Sequence, residues 1–261
     1  VKVLITGASG QVGKALLRTL PVDVDLRPFT REKLDISNAR AVHDAVADFG
    51  PALIINAAAY TAVDKAESEP EVAAAINTAG PRNLAEAALE IPDCRLLHIS
   101  TDYVFDGRSA GPYQPDDPTN PLSVYGRTKL KGEHAVLDVL HDRAVVLRTA
   151  WVYAAEGKNF LLTMLRLMRE RGAVRVVSDQ RGTPTTADSI ARALWRIAER
   201  PTVSHVLHWT DAGEATWYDF AVAIAEEGLA AGLLQKPLQV TPITTAEYPT
   251  PAPRPANSVL D

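Results

Sequence analysis

The stretch Val3-Leu4-Ile5-Thr6-Gly7-Ala8-Ser9-Gly10-Gln11-Val12-Gly13 decides how this chain folds. Its first residues are a short apolar run containing β-branched side chains, the pattern of a buried strand. Beyond it Val12, Ala15, Leu16, Leu17 and Leu20 recur at helical spacing. The glycines therefore lie between a predicted strand, Lys2–Thr6, and a predicted helix, Gln11–Leu20, which is the context of a dinucleotide fingerprint. Gly7 would allow the tight turn, Gly10 the approach of a pyrophosphate, and Gly13 close packing of helix on strand. Free N–H groups of Gln11, Val12 and Gly13, at the positive end of that helix, suit a phosphate. The spacing is G-x-x-G-x-x-G rather than the commoner G-x-G-x-x-G.

Working outward, strand and helix patterns alternate. A second strand is predicted over Val22–Pro28 and a helix over Asn38–Phe49, capped by Ser37. A buried strand follows at Leu53–Asn56, then an Ala-rich helix over Glu71–Leu89 and a strand over Leu96–Ser100. A helix over Tyr125–Leu140 and a strand over Ala144–Arg148 complete the series. This alternation predicts an α/β fold, a Rossmann-type doubly wound parallel sheet with helices on both faces. Ligands of such sheets bind outside the carboxyl ends of the strands. Thr6-Gly7, Asn56-Ala57, Ser100-Thr101 and Thr149-Ala150-Trp151 all fall there. Residues 106–125 read as a long ordered loop of functional weight. Helices are predicted at Asn159–Arg171, Ala187–Ala198 and Thr216–Leu229, a short strand at Gln239–Ile243, and no regular structure over the four prolines of Tyr248–Pro255. Residues 1–150 are read as the dinucleotide-binding part. Residues 151–261 are read as a mainly substrate-binding portion interleaved with it.

Tyr125-Gly126-Arg127-Thr128-Lys129 adds chemistry. Residues i and i+4 of a helix share a face, so the ammonium of Lys129 is expected near the phenol of Tyr125. A cation there would lower a pKa of ~10 towards the working range of a general acid.

Composition narrows the class. With 261 residues, 46% of them hydrophobic, a large α/β core is feasible, and a net charge of −5 argues against nucleic acid as a partner. No basic run suggests a membrane surface, no apolar stretch has bilayer length, and no signal-peptide pattern opens the chain. The single Cys94 excludes an internal disulfide, and no Cys/His cluster has zinc spacing. The chain is expected to be soluble and cytoplasmic.

These motifs, with Asn56-Ala57-Ala58-Ala59 and Ser100-Thr101-Asp102-Tyr103-Val104-Phe105-Asp106-Gly107, resemble the extended short-chain dehydrogenase/reductase family. Within it, four further stretches resemble the reductases that complete dTDP-L-rhamnose. These are Tyr60–Glu67, Arg148–Tyr153, Asp179–Thr185 and Arg254–Ser258. The resemblance spans nearly the whole chain. It implies reduction of the 4-keto group of a dTDP-linked 4-keto-6-deoxy sugar, dTDP-4-dehydro-L-rhamnose, by NADPH, with NADH possible. Catalytic roles are implied for Thr101, which holds the carbonyl oxygen, Tyr125, which donates the proton, and Lys129. Cofactor contacts are implied for Gly7, Gly10, Gln11, Val12, Gly13, Arg27, Thr30, Asp35, Ile36, Ala57, Ala58, Ala59, Thr61, Ser100 and Lys129. Substrate contacts are implied for Thr101, Asp102, Tyr103, Tyr125, Trp151, Asn159, Gln180 and Arg254. No acid sits at the tip of the second strand, and Arg27 or Arg31 could meet a 2′-phosphate, which favours NADPH.

Some relatives bind Mg2+ through glutamates, one just after the third glycine. Lys14-Ala15 stand there, so no metal is expected, and the oligomer is read as a monomer or weak homodimer. The chain stops at Val259-Leu260-Asp261, where the resemblance leads one to expect a further helix or so. Other roles stay open: Thr101 as a strand-end cap, Lys129 as a solvated charge, Trp151 as a core residue. Two other functions stay open as well. One is a non-catalytic, NADP-binding regulatory subunit like that of methionine adenosyltransferase, which would lack the catalytic set. The other is a different sugar-nucleotide reductase, epimerase or dehydratase. Tyr103 stands after Thr101-Asp102, where dehydratases carry a Glu, which favours simple reduction.

Overall fold

Successive residues of a strand point to opposite faces, and in the opening strand both sets are apolar, so both faces of its sheet must be covered. The computed structural model describes residues 1–200, 203–234 and 238–261 and meets that demand. Val3 and Ile5 enter one core cluster and Leu4 the other, each nearly or fully inaccessible to solvent.

Strands β1 (Lys2–Thr6), β2 (Asp25–Phe29), β3 (Leu53–Asn56), β4 (Arg95–Thr101) and β5 (Ala144–Thr149) join β7 (Val206–His208) in a six-stranded sheet. Its order is β7-β5-β4-β3-β1-β2, and every pair is parallel. Helices α1 (Gln11–Arg18) and α6 (Ala187–Ala198) cover one face. Helices α2 (Ala39–Phe49), α3 (Gly80–Leu89) and α4 (Val124–Leu140) cover the other. A smaller lobe packs α5 (Phe160–Arg171) and α7 (Trp217–Ala230) on a two-stranded parallel sheet of β6 (Ala173–Val177) and β8 (Gln239–Ile243). Met164, Met168, Val176 and Ile224 form its core.

Several local expectations change. The second strand is Asp25–Phe29, and Val22 is almost wholly exposed. It runs through Pro28 because it lies at the sheet edge, where a missing N–H costs little. Asn38, not Ser37, caps α2, accepting from Ala41 N at 3.1 Å, while Ser37 bonds Asp35. The helix predicted over Glu71–Leu89 is broken into Pro70–Ala74, a wide π turn over Ala75–Ala79, and α3. Pro81 has no N–H to continue an α ladder, which accounts for the wider turn. Strands β6 and β7 were not foreseen. Helix α6 and strand β7, both beyond residue 150, belong to the main sheet layer.

One buried ion pair fastens this frame. Glu133 on α4 and Arg148 on β5 are both nearly inaccessible and meet through Nη2–Oε2 at 2.8 Å and Nε–Oε1 at 3.1 Å. Ser100 Oγ at the end of β4 donates to the same carboxylate. Arg148 Nη1 donates to Pro115 O at 3.1 Å, and its guanidinium lies 5.1 Å from the Phe105 ring centre. Removing one partner strands a buried charge. Arg148→Met should therefore lower unfolding free energy by about 3–5 kcal/mol in urea titrations, whereas the double change Arg148→Met/Glu133→Leu should recover most of it. A single variant as stable as the parent would show the pair to be idle.

Candidate active site

The chain leaves β1 for the sheet edge, returns to β3 and then proceeds the other way, so a crevice opens between the ends of β1 and β3. A cavity of about 320 Å3 lies there, lined by Gly7, Ser9, Gly10, Arg31, Leu34, Asp35, Ile36, Ala57–Ala62 and Ile76. Gly7 has a φ of +71°, and an added Cβ would stand 2.6 Å from the Ala57 backbone. At Gly13 a Cβ would stand 2.2 Å from Gly7 O, so only glycine lets α1 lie against the loop. Gly10 begins α1 with no side-chain cap, and no acid occupies the first turn, so the helix keeps its affinity for an anion. Apolar walls from Leu34, Ile36 and Ile76 beside the Arg31 cation complete a site that fits a dinucleotide carrying phosphates.

Of the residues singled out for the cofactor, Gly7, Gly10, Asp35, Ile36, Ala57, Ala58, Ala59 and Thr61 meet at this cavity. Val12 packs its side chain into the core, leaving only its backbone for a ligand. Gln11 accepts from Asn159 Nδ2 at 2.8 Å and ties α1 to the start of α5. Thr30 does not line the cavity; its carbonyl accepts from Leu34 N at 3.0 Å and shapes the loop that does. Arg27 lies elsewhere: it pairs with Asp48 and covers the Phe49 ring, because a β2 side chain on that face meets α2. Arg31, on the loop after the strand, is the arginine at the cavity. Ser100 has its hydroxyl on Glu133 rather than free for a ligand.

Beside this crevice, the β4 end and the start of α4 bring Thr101, Asp102, Tyr103, Tyr125 and Lys129 together. Their approach depends on Gly126, where a Cβ would stand 2.2 Å from Tyr103 O. Ser123 caps the helix, accepting from Gly126 N at 3.1 Å, and the Tyr103 and Tyr125 rings meet edge to face with centres 5.5 Å apart. Thr101 does cap the following turn, accepting from Tyr103 N at 3.2 Å, and its hydroxyl donates to Asp102 Oδ1 at 2.9 Å. Burial pushes the Tyr125 phenol up to about 12, with Thr101 opposing and the Asp102 charge adding to the rise. Lys129 is not a solvated charge. It is buried, donates to Ile99 O at 2.6 Å, and burial pulls it down to about 8 against the pull of Glu133. The lowering of the Tyr125 pKa expected from Lys129 is absent in this arrangement, because the ammonium is turned to β4 and desolvation dominates.

Trp151 is half-buried with a φ of +46°, stacked on Trp217 at 3.5 Å between ring centres. A Cβ at residue 182 would strike its indole at 2.4 Å, which is why Gly182 lies there. Asn159 caps α5 and spends its amide hydrogens on Gln11, Ala154 O and Glu156 O. Gln180 is buried against Thr245, and Arg254 forms a two-pronged pair with Asp64, both bonds at 2.8 Å. These three side chains are engaged within the protein, a commitment that spacing cannot reveal. Lys14 is held by Glu156 at 2.6 Å.

Asp102 is the anomalous acid here. Its Oδ2 is buried without a hydrogen-bond partner, and burial raises it from 3.8 to about 6 despite the hydrogen bond that Thr101 Oγ1 donates to its Oδ1 at 2.9 Å. The folded state thus binds this proton more tightly than the unfolded state. Its contribution is full below about 3.8 and is lost as pH rises through about 6. Asp102→Asn should therefore raise stability at pH 7 by an amount on the order of 2–3 kcal/mol, and the gain should vanish near pH 4 in paired denaturant titrations. An equal effect at both pH values would contradict this.

Comparison with known proteins places this geometry. The family model described as the RmlD substrate binding domain matches residues 1–261. The chain is 44% identical to the dTDP-4-dehydrorhamnose reductase of Aggregatibacter actinomycetemcomitans, covering 100% of this chain and 90% of that one. It superposes with a TM-score of 0.94 and 41% identity on a dTDP-4-dehydrorhamnose reductase from Clostridium acetobutylicum, covering 100% of this chain and 90% of the other. For the Bacillus anthracis dTDP-4-dehydrorhamnose reductase solved with NADP, the TM-score is 0.93 and the identity 36%, with the same coverage. The site at the β1, β3 and β4 ends is thus set in a known frame, and the chain belongs to the RmlD substrate-binding-domain family, that of the dTDP-4-dehydrorhamnose reductases.

Proposed function

We propose that this chain is an NADPH-dependent reductase that converts the 4-keto group of dTDP-4-dehydro-L-rhamnose to the hydroxyl of dTDP-L-rhamnose. The observation that carries this reading is the placing of Thr101 at the β4 end and of Tyr125, with Lys129 one turn further along α4, beside a glycine-walled dinucleotide crevice. The relative solved with NADP supports the cofactor, and the names of the reductases in this family support the substrate. The intact catalytic set favours an enzyme over a regulatory subunit.

The chemistry a bound NADPH supplies is delivery of hydride to the carbonyl carbon. Thr101 and Tyr125 are assigned to hold the carbonyl oxygen, which fixes its distance and polarises it. Tyr125 keeps its proton at neutral pH because burial raises its pKa, and it gives that proton to the alkoxide as charge develops there. Lys129 is assigned to the nicotinamide ribose. Trp151, with Trp217 displaced or tilted, would offer an apolar face to the 6-deoxy sugar. Tyr103 and Asp102 would border the sugar. Gln180, Asn159 and Arg254 are assigned to shaping the pocket rather than touching the ligand.

No helix among the described residues is long and apolar enough to cross a membrane. A lone, buried Cys94 suits a reducing compartment, and the cytoplasm is the proposed location. A monomer or weak homodimer acting on a nucleotide sugar, without nucleic acid or membrane, is the proposed working form.

Loss of NADPH absorbance with dTDP-4-dehydro-L-rhamnose tests the assignment. Tyr125→Phe should lower kcat by about 10²–10⁴ while leaving NADPH binding intact. Wild-type binding of NADPH without turnover of this sugar would reject the substrate. Arg31→Ala should weaken NADPH binding by about tenfold and leave NADH binding nearly unchanged, measured by fluorescence titration. Equal losses for both cofactors would remove Arg31 from the 2′-phosphate.

A further inference from the structure

A row of buried polar groups crosses the carboxyl ends of β1, β3 and β4 and ends on Lys129. Thr6 Oγ1 donates to Asn56 Oδ1 at 2.7 Å, and the backbone N–H of Ala58 donates to the same oxygen at 3.1 Å. A backbone N–H can only donate, so the atom facing it must be the amide oxygen, and the orientation of Asn56 is fixed. Its nitrogen Nδ2 then faces His98 Nδ1 at 2.9 Å and must donate to it. His98 is wholly inaccessible, and both burial and Lys129 oppose its protonation. A neutral imidazole accepting at Nδ1 carries its proton on Nε2. That Nε2 lies 3.5 Å from Lys129 Nζ, which is already donating to Ile99 O.

We infer that His98, locked in its Nε2–H tautomer by Asn56, is a positioning residue that presents a donor to Lys129 and so favours the uncharged amine. An ammonium at that place meets another N–H, whereas a free amine accepts it through its lone pair. The ionisable groups around Lys129 act as follows. Glu133, one turn along the same helix, favours the ammonium, but its carboxylate is engaged by Arg148. Tyr125 lies one turn before it, and Asp102 acts on Tyr125. The neighbouring π turn offers only neutral groups, Asn77 and Thr78, which bond Thr128. His98 is thus the group from the sheet that opposes the charge. A change in the charge of Lys129, one helical turn from Tyr125, would show in the alkaline limb of the reductase's pH profile. This consequence rests on the reductase reading, while the tautomer and its effect on Lys129 do not.

The test uses the full chain with 15N-labelled histidine and 13C-labelled lysine. In wild-type protein His98 should show a protonated Nε2 and a bare Nδ1 that persist through neutral pH. Its resonances are assigned by their loss in His98→Phe. The Lys129 Cε resonance, assigned by Lys129→Met, should titrate about one pH unit higher in His98→Phe than in wild type. The alkaline limb of kcat/KM should move up by the same amount. A proton found on Nδ1 in wild-type protein overturns the inference without any variant. An unshifted Lys129 titration in a folded His98→Phe overturns it as well. Failure to reduce the keto sugar, together with the Nε2–H tautomer and a shifted lysine, would sink the substrate assignment and leave this inference standing.

Discussion

Arg148 and Glu133 together tie down the long loop, the Phe105 ring and the end of β4. The Arg148 guanidinium takes the Glu133 carboxylate from α4, the Pro115 carbonyl from the long loop and the Phe105 ring, while Ser100 at the β4 end shares that carboxylate. A charged pair so far from water is tolerated only when its remaining hydrogen-bonding capacity is met, and here the neighbours meet it. The consequence reaches the chemistry. Tyr125 and Lys129 ride on the helix that Glu133 anchors, and Thr101 follows directly on Ser100. The positions of Tyr125, Lys129 and Thr101 are therefore tied to one buried contact behind them.

Close approach is the second requirement, and it is met by removing side chains. Gly13 lets α1 lie on the phosphate loop, Gly126 lets α4 start against the Tyr103 carbonyl, and Gly132 lets the same helix pass Asn77 O, where a Cβ would stand 2.1 Å away. Asn77 lies in the π turn and holds both the N–H and the carbonyl of Tyr60, so the wide turn aims a buried amide at the loop bordering the cofactor crevice. The π turn traces to Pro81 and the three close approaches to single glycines. Each is a local property of sequence with an effect visible only between elements.

The candidate site was legible in part. The glycine loop, the start of the Ala57–Ala59 run and the Tyr125/Lys129 pair could be placed because backbone geometry and strand-end position dictate them, whereas Asp35 was indicated only by the family resemblance. Arg27, Ser100, Asn159, Gln180 and Arg254 were harder to read. A polar side chain near a site can face a ligand or a protein partner, and the partners Asp48, Glu133, Gln11, Thr245 and Asp64 lie far away in sequence. His98 had no signal of its own, since a histidine within an apolar strand reads as core until Asn56 and Lys129 are seen on either side of it.

By itself the sequence determined the alternation of strands and helices, the parallel sheet covered on both faces, and the nucleotide crevice at its carboxyl end. Those follow from periodicity, from glycine's backbone freedom and from the lack of any other place for so much apolar surface. Tertiary structure alone decided which arginine reaches the crevice, which way Lys129 points, and that burial rather than the neighbouring lysine governs the Tyr125 proton. Periodicity assigns a residue to a face. Desolvation and hydrogen-bond partnership, which set protonation and availability, depend on groups that meet only after the chain has folded.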